Sequence, residues 1–487
     1  MAVQGLGSIL SCGAYVPRLR LPREQIAAAM QWHSARSSAA SGARAVCNWD
    51  EDALTLAVQA ARECLANAGG EQTDRSVGSV SLASTTLPFA DRSNSTVLAA
   101  ALDLQTSVRT ADFSGSLRAG TTALCDATRT THGTTSLIVA ADARLTKPGS
   151  TQEMEYGAGA AAMLMSSARD ATALGRVVAT AHLAADFVDH YRLSGESFDY
   201  ALEERWVRDE ALSKQVPATI ASALESAGLQ PAAVDHFVVT GSASNARKIA
   251  QLAKLEKARL AGNLREDCGD TGAAHALLML AATLEVATPG QHIVAVGFGQ
   301  GVDVLVVRIP DSRPAPHGRT VAAALGRRKT EQHYTRYLSH SGLLDVDFGM
   351  RAERDNRSAQ SVAWRKNRQV TAFVGGQCRS CGALQFPKSR VCVNPDCRLT
   401  DTQADRRLAE LTGRVKSFTE DWQAYSPRPP AIYGNIEFEG GGNLLMELTD
   451  LDPGEVTVGL RVGFAFRVKD VDPIRGFKRY FWKAVQV

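Results

Sequence analysis

Apolar positions in this chain fall into short continuous runs separated by stretches with helical spacing, and the alternation is regular over residues 1–310. Residues 77–83, 136–140, 236–240 and 292–297 are brief apolar runs of the buried-strand kind. Helical patterns cover 50–68, 213–227 and 271–287. Asp50 stands where the first helix needs an N-cap, Gly69 and Gly70 mark its stop, and Pro289-Gly290 follows the third. The order repeats. A strand segment (SVGSVSLAST, then AVDHFVVTGS) leads to a Gly/Ala-rich helix (GSLRAGTTALCDA, then DTGAAHALLMLAA) and a Val/Ile-rich strand (SLIVAADA, then HIVAVGFGQG). Two similar halves predict a duplicated, layered α/β architecture with helices packed between sheets. One doubly wound domain without duplication is the other reading of the same pattern.

The pattern changes at Asp311. Residues 311–330, rich in Pro, Arg and Gly, read as a linker. Residues 331–370 form a polar, basic helical segment whose Tyr334, Tyr337, Leu338, Leu343 and Leu344 are expected to dock it on the preceding domain. Residues 371–404 hold a cysteine cluster, and 405–487 carry five short alternating runs with Gly and Pro between them, as in a five-stranded barrel. Aromatic residues of that barrel, such as Trp422, Phe438, Phe464, Phe466, Tyr480 and Trp482, read as its core. The same residues on an open face would stack bases.

Composition narrows the class. With 487 residues the chain has room for about three domains. A net charge of +3 gives no argument for a polyanionic partner, so no nucleic-acid role is expected. No basic-then-apolar leader opens the sequence, and no apolar run approaches the roughly 20 residues of a membrane span. Nine cysteines are an odd number, and four stand at metal-ligand spacing, which predicts a cytoplasmic protein without a disulfide framework.

Those four are Cys378 and Cys381, a C-x-x-C knuckle, and Cys392 and Cys397 beyond it. Two tight turns, with Gly382 beside the first and Pro395 inside the second, deliver thiolates in pairs to a tetrahedral zinc ion. Four thiolates leave no open coordination position, so the zinc is expected to be structural.

The segment CRSCGALQFPKSRVCVNPDC with LTGRVKSFT resembles the DUF35 family, a rubredoxin-like zinc ribbon followed by an OB-fold. RAVCNWDEDALTLAVQA, ASTTLPFADRSNSTVLAAAL, SLRAGTTAL, EYGAGAAAML, DTGAAHALLML and VGFGQGVDVL resemble the thiolase superfamily. The nearest branch is that of 3-hydroxy-3-methylglutaryl-CoA synthase and ketoacyl synthase III. Together the resemblances imply a duplicated five-layer thiolase fold over 1–310, then the ribbon and a small all-β barrel. They also imply a homodimer through the thiolase-like domain, a CoA-thioester or acyl-carrier-protein substrate, and DUF35-type partnership with a thiolase-like protein.

That branch uses a cysteine nucleophile at a helix N-terminus, where the dipole lowers its pKa. A histidine and an asparagine stabilise the oxyanion, and the synthase adds a glutamate. In this sequence those positions hold Leu117, Thr240, Asp270 and Thr85. Leucine forms no thioester, so the expected activity is making or breaking a C–C bond, of aldol or Claisen type, without an acyl-cysteine. Asp270, His275 and Asp112 are the candidates for acid/base and enolate-stabilising roles, and Arg118 for a CoA phosphate. Each also has a structural reading: helix cap, packed histidine, helix salt bridge. A relocated nucleophile at Cys268 defines a condensing enzyme instead, and a non-catalytic scaffold is the third possibility.

Overall fold

Ten strands form one sheet, and their order records a repeat. β1 (Gly7–Tyr15), β2 (Val77–Ala83), β3 (Arg109–Phe113), β4 (Thr135–Ala143) and β5 (Ala158–Ser166) make the first set. β6 (Gly175–Ala184), β7 (His236–Val239), β8 (Arg259–Leu260), β9 (His292–Phe298) and β10 (Gly301–Arg308) make the second. Across the sheet they lie β8-β7-β9-β10-β6-β1-β5-β4-β2-β3. Each half thus has the same order, parallel around β2 and β7 and antiparallel at β4–β5 and β9–β10. β1 and β6 join the halves antiparallel, Ser8 opposite Arg176. The computed structural model describes residues 6–33, 41–69, 76–129, 135–167, 173–313, 319–357 and 359–487.

Four helices complete the layers: α1 (Ala53–Asn67), α2 (Ala119–Ala127), α3 (Val216–Ala227) and α4 (His275–Val286). α2 and α4 touch strands of both halves and each other, while α1 packs on β1, β5 and β4 and α3 on β6, β10 and β9. The result is helix, half-sheet, helix pair, half-sheet, helix: the duplicated five-layer arrangement expected from the internal repeat. The central pair is close because Gly120 of α2 has no side chain; a Cβ there would meet Ala273 O at 2.4 Å.

Local chemistry moves three boundaries. The first helix is capped by Asp52, not Asp50, because Asp52 and Thr55 exchange bonds in a capping box. It ends at Asn67, and Gly70 lies outside the described residues. The 213–227 pattern begins within a π-helical stretch, Val207–Gln215, before α3. The 271–287 pattern opens with one 3-10 turn, Gly272–Ala274, since Gly272 takes a left-handed φ of +60°.

The chain divides into two compact units. Met1–Cys47, Asp52–Thr96 and Gln105–Tyr337 form the first; Asn48–Glu51, Val97–Leu104 and Leu338–Val487 form the second. Within the first, the described part of the 311–330 stretch is not a bare linker. Thr320 caps a helix, Val321–Gly326, that buries Val321 and Ala324, and Lys329–Thr330 pairs with Leu19–Pro22. Tyr334 donates to Glu153 Oε1 at 2.8 Å, and Arg44 lies over the Tyr337 ring.

In the second unit Val374–Cys378 pairs antiparallel with Leu384–Gln385 and Gln403–Arg407. Five further strands follow: Gly413–Asp421, Ala431–Phe438, Asn443–Glu447, Arg461–Asp472 and Phe477–Gln486. A parallel bridge between Leu448 and Ala484 curls this sheet toward closure. Phe438, Phe464, Phe466, Tyr480 and Trp482 are buried as core, whereas Trp422 is 65% exposed and contributes nothing to it. At the centre Phe373 takes ring contacts from Phe386, Phe438, Phe464, Phe481 and Trp482. Arg467 and Lys483 are buried here with Asp50, Glu51 and Asp450.

Candidate functional site

The loop between β10 and its neighbour β9 packs on the head of α2. A Cβ on Gly299 would lie 2.7 Å from Ser116 Oγ and 3.1 Å from Leu117 N, so only glycine fits. Ser116 donates its hydroxyl to Gly299 O at 2.6 Å, which makes it part of this turn. Arg118 donates to the same carbonyl at 3.0 Å and reaches Asp303 Oδ1 at 3.1 Å. Asp303 also accepts from Thr122 at 2.6 Å and lies 2.9 Å from His182 Nδ1. Arg118, the candidate for a CoA phosphate, therefore has a carboxylate partner inside its own unit.

Residues 270 and 85, two of the other positions named by the resemblance, are joined by charge. Asp270 Oδ1 accepts from Arg144 at 2.9 Å and from Gly272 N at 2.9 Å, so it both pairs and caps. Arg144 is buried, lies 3.5 Å over the Tyr156 ring and 3.6 Å from Asp199. Asp199 pairs in turn with Arg192, whose guanidinium donates to Thr85 O. Burial raises the Asp270 carboxyl, but His275, Arg144 and Arg265 outweigh it and hold it below the ordinary value. Burial pushes the Tyr156 phenol up, with Asp199 and Asp270 adding to it against Arg144. Two arginines and one aspartate thus link the positions of Asp270 and Thr85.

Thr85 itself faces Asp142. That carboxylate, fully buried, accepts from Thr85 N at 2.8 Å, Thr85 Oγ1 at 3.0 Å, Ser84 Oγ at 2.9 Å, Thr86 Oγ1 at 2.9 Å and Ala273 N at 2.7 Å. Thr240 follows β7 directly, half-buried.

His275 and Asp112 are elsewhere engaged. His275 is fully buried; Nδ1 receives Thr271 N at 3.2 Å and Nε2 donates to Asn263 O at 2.9 Å. Burial lowers its pKa, so the ring is neutral and both nitrogens are bonded. Asp112 is the penultimate residue of β3 and accepts from Asn94 N at 2.8 Å and Ser95 N at 2.7 Å, holding the start of the helix Asn94–Ala101. The structure brings Asp270 and His275 together and places Asp112 at the sheet edge. Arg144, Asp142, Asp199 and Arg192 were missed. The visible signal was Asp142-Ala143-Arg144, charges closing the apolar run of residues 137–141.

In the ribbon, the sulfurs of Cys378, Cys381, Cys392 and Cys397 lie within 4.8 Å of one another. Cys378 and Cys397 are 3.8 Å apart and Cys381 and Cys392 3.5 Å. Four sulfurs at about 2.3 Å from a tetrahedral zinc stand about 3.8 Å apart, so the donors fit that ion.

Comparison with known proteins agrees with this architecture. The family model for the C-terminal domain of 3-oxoacyl-[acyl-carrier-protein] synthase III matches residues 224–309. Models for the ChsH2 rubredoxin-like zinc ribbon and the ChsH2 C-terminal OB-fold match residues 369–401 and 406–467. Hydroxymethylglutaryl-CoA synthase of Methanosarcina mazei is 28% identical over 347 residues, covering 69% of this chain and 98% of that one. The enzyme of Caldivirga maquilingensis is 29% identical over 357 residues, covering 70% and 99%. Among solved structures, 3-oxoacyl-(acyl carrier protein) synthase III (FabH) of Pseudomonas aeruginosa superposes with a TM-score of 0.55 at 23% identity, covering 64% and 100%. MvaS in complex with 3-hydroxy-3-methylglutaryl coenzyme A gives 0.57 at 17%, covering 71% and 94%. The fold is thus that of the thiolase-like condensing enzymes. More closely, the chain joins a thiolase-like domain with hydroxymethylglutaryl-CoA synthase relatives to a ChsH2-type zinc ribbon and OB-fold.

Proposed function

We propose that this chain acts on acyl-CoA, making or breaking a carbon–carbon bond by aldol or Claisen-type chemistry without a cysteine-bound acyl group. The observation that carries the reading is a thiolase-like domain related over its length to hydroxymethylglutaryl-CoA synthases, with Leu117 at the head of α2. Enolate chemistry on a thioester needs a base and a place for negative charge, not a thiolate. A displaced thiol has little support. Cys268 is fully buried, donates to Leu264 O at 3.2 Å, and burial pushes it up to about 12, so it is a thiol at neutral pH. Cys125 is raised further by burial and by Asp303. The four ribbon cysteines are best read as a structural zinc site.

The scaffold reading is favoured by a different observation: Asp270, His275 and Asp112 each spend their polar atoms on backbone or ion-pair bonds. One experiment separates the three. The purified chain is incubated with acetyl-CoA and acetoacetyl-CoA, and intact mass and CoA-ester turnover are followed. Turnover without an adduct is expected. A stable acyl adduct sinks the leading reading, and binding without turnover supports the scaffold.

A further inference from the structure

The segment after β6 carries a titratable pair outside the ionic network just described. His190 Nδ1 lies 2.9 Å from Asp189 Oδ2, and the two side chains are 16% and 13% exposed. Two anchors fix where the pair stands. Gln300 Nε2 donates to His190 O at 3.2 Å, and Gln300 belongs to the glycine turn packed on the amides of Leu117 and Arg118. Two residues beyond His190, Arg192 donates to Thr85 O. A short hairpin, His190–Tyr191 against Tyr200–Ala201, closes the segment. His190 is therefore strung between the head of α2 and the Thr85 loop, the positions that lack the family's nucleophile and glutamate.

The pair is arranged for proton transfer. Asp189 accepts from Nδ1–H, which fixes the tautomer that carries its lone pair on Nε2. Asp189 Oδ1 is buried with no hydrogen-bond partner among the described residues, so the carboxylate charge acts on the imidazole. The same carboxylate then stabilises the imidazolium once Nε2 takes a proton.

The geometry points to His190 as the acid/base group of this site, with Asp189 as its positioning residue. This rests on the reading that the site handles CoA thioesters. In the cleavage direction Nε2 removes the proton of the 3-hydroxyl of a 3-hydroxyacyl-CoA. The O–H electron pair becomes the new C=O bond, C2–C3 breaks, and its pair passes to the thioester oxygen as an enolate. The proton held on Nε2 is then delivered to C2, giving a shortened acyl-CoA and an aldehyde or ketone. No other reactant is needed, and condensation is the reverse.

Exchange of the C2 hydrogens of acetyl-CoA in D2O isolates the enolisation step whatever the second substrate is. The full chain is used, with exchange read by mass spectrometry and binding by calorimetry. His190→Ala is expected to lose about 10²-fold or more in exchange, with the acetyl-CoA dissociation constant unchanged and free imidazole restoring part of the rate. Asp189→Asn is expected to lower the exchange rate at saturation while leaving binding alone. Exchange by His190→Ala at the wild-type rate, or a loss that imidazole does not restore, overturns the assignment while acetyl-CoA binding keeps the functional reading. Binding without exchange in the wild type also overturns the assignment. A wild-type chain that binds no acetyl-CoA removes the functional reading itself.

Discussion

Replacing Arg467 by methionine isolates the buried charge cluster of the second unit. The guanidinium is 1% exposed and stands 2.7 Å from Asp450, 3.1 Å from Glu51 and 3.7 Å from Asp50. Lys483 supplies the other cation, 3.1 Å from Asp50 and 2.9 Å from Glu447. Methionine keeps most of the aliphatic stem, so the change removes charge more than packing. One ammonium is then left among four carboxylates. Removing one partner of a buried pair costs about 3–5 kcal/mol, and three carboxylates on one guanidinium place this case at the upper end. At about 2–4 °C per kcal/mol for a unit of this size, the transition should fall by roughly 10–20 °C. Differential scanning calorimetry of the full chain reads it. Asp450→Asn in the same background should recover part of the loss, since it removes one stranded charge. A fall of less than about 3 °C, with no recovery in the double variant, would refute the reasoning.

Other outcomes follow from separate features. Chelating zinc should melt the ribbon around Cys378, Cys381, Cys392 and Cys397, seen as protease cleavage within 371–404, because it removes the ion that the four clustered sulfurs are placed to share. Cys268 should resist iodoacetamide at pH 7.5 in the native chain and react once it is unfolded, as a thiol at about 12 requires. Gly120→Ala should cost about 1–3 kcal/mol by urea denaturation, because its Cβ meets the backbone oxygen of Ala273. Stability should also fall on the acid side in two stages. His275 is depressed in the folded chain, so its contribution is complete above about 6.5 and lost below it, where the unfolded chain alone takes the proton. Asp270 is depressed as well, so its contribution is complete above about 3.9 and lost as pH falls through the lower folded value. His275→Gln should remove the first slope and shrink the second, since His275 is the first of the groups that lower Asp270.

Periodicity found the elements that are local. The strand at residues 77–83 reads directly from seven residues, and the repeat of strand, helix and strand is visible because each half encodes it separately. Caps were less legible. Asp50 and Asp52 are both acceptable N-caps by composition; Thr55 decides for Asp52, and Asp50 is spent on Arg467 and Lys483, more than 400 positions away. The zinc cluster was legible because its ligands lie within twenty residues. At the site, the family resemblance pointed to positions 85, 117, 240 and 270 but not to the groups around them. Arg144 follows β4, while Asp199 and Arg192 come from the 182–208 segment, whose irregular path has no periodicity to read. His190 escaped for the same reason, since only Gln300 and Arg192 reveal where it stands.

Asp142 gives this domain an unusual property for anyone wishing to rebuild it. Its five acceptor bonds reach the loop carrying Thr85 and the turn that opens α4, so one carboxylate fixes the main chain beside residues 85 and 270. The mount and the tool are separate. A new side chain can be installed at 85 with the backbone around it held by a group that need not change, whereas one at 270 must also replace the cap on Gly272 N and the partner of Arg144.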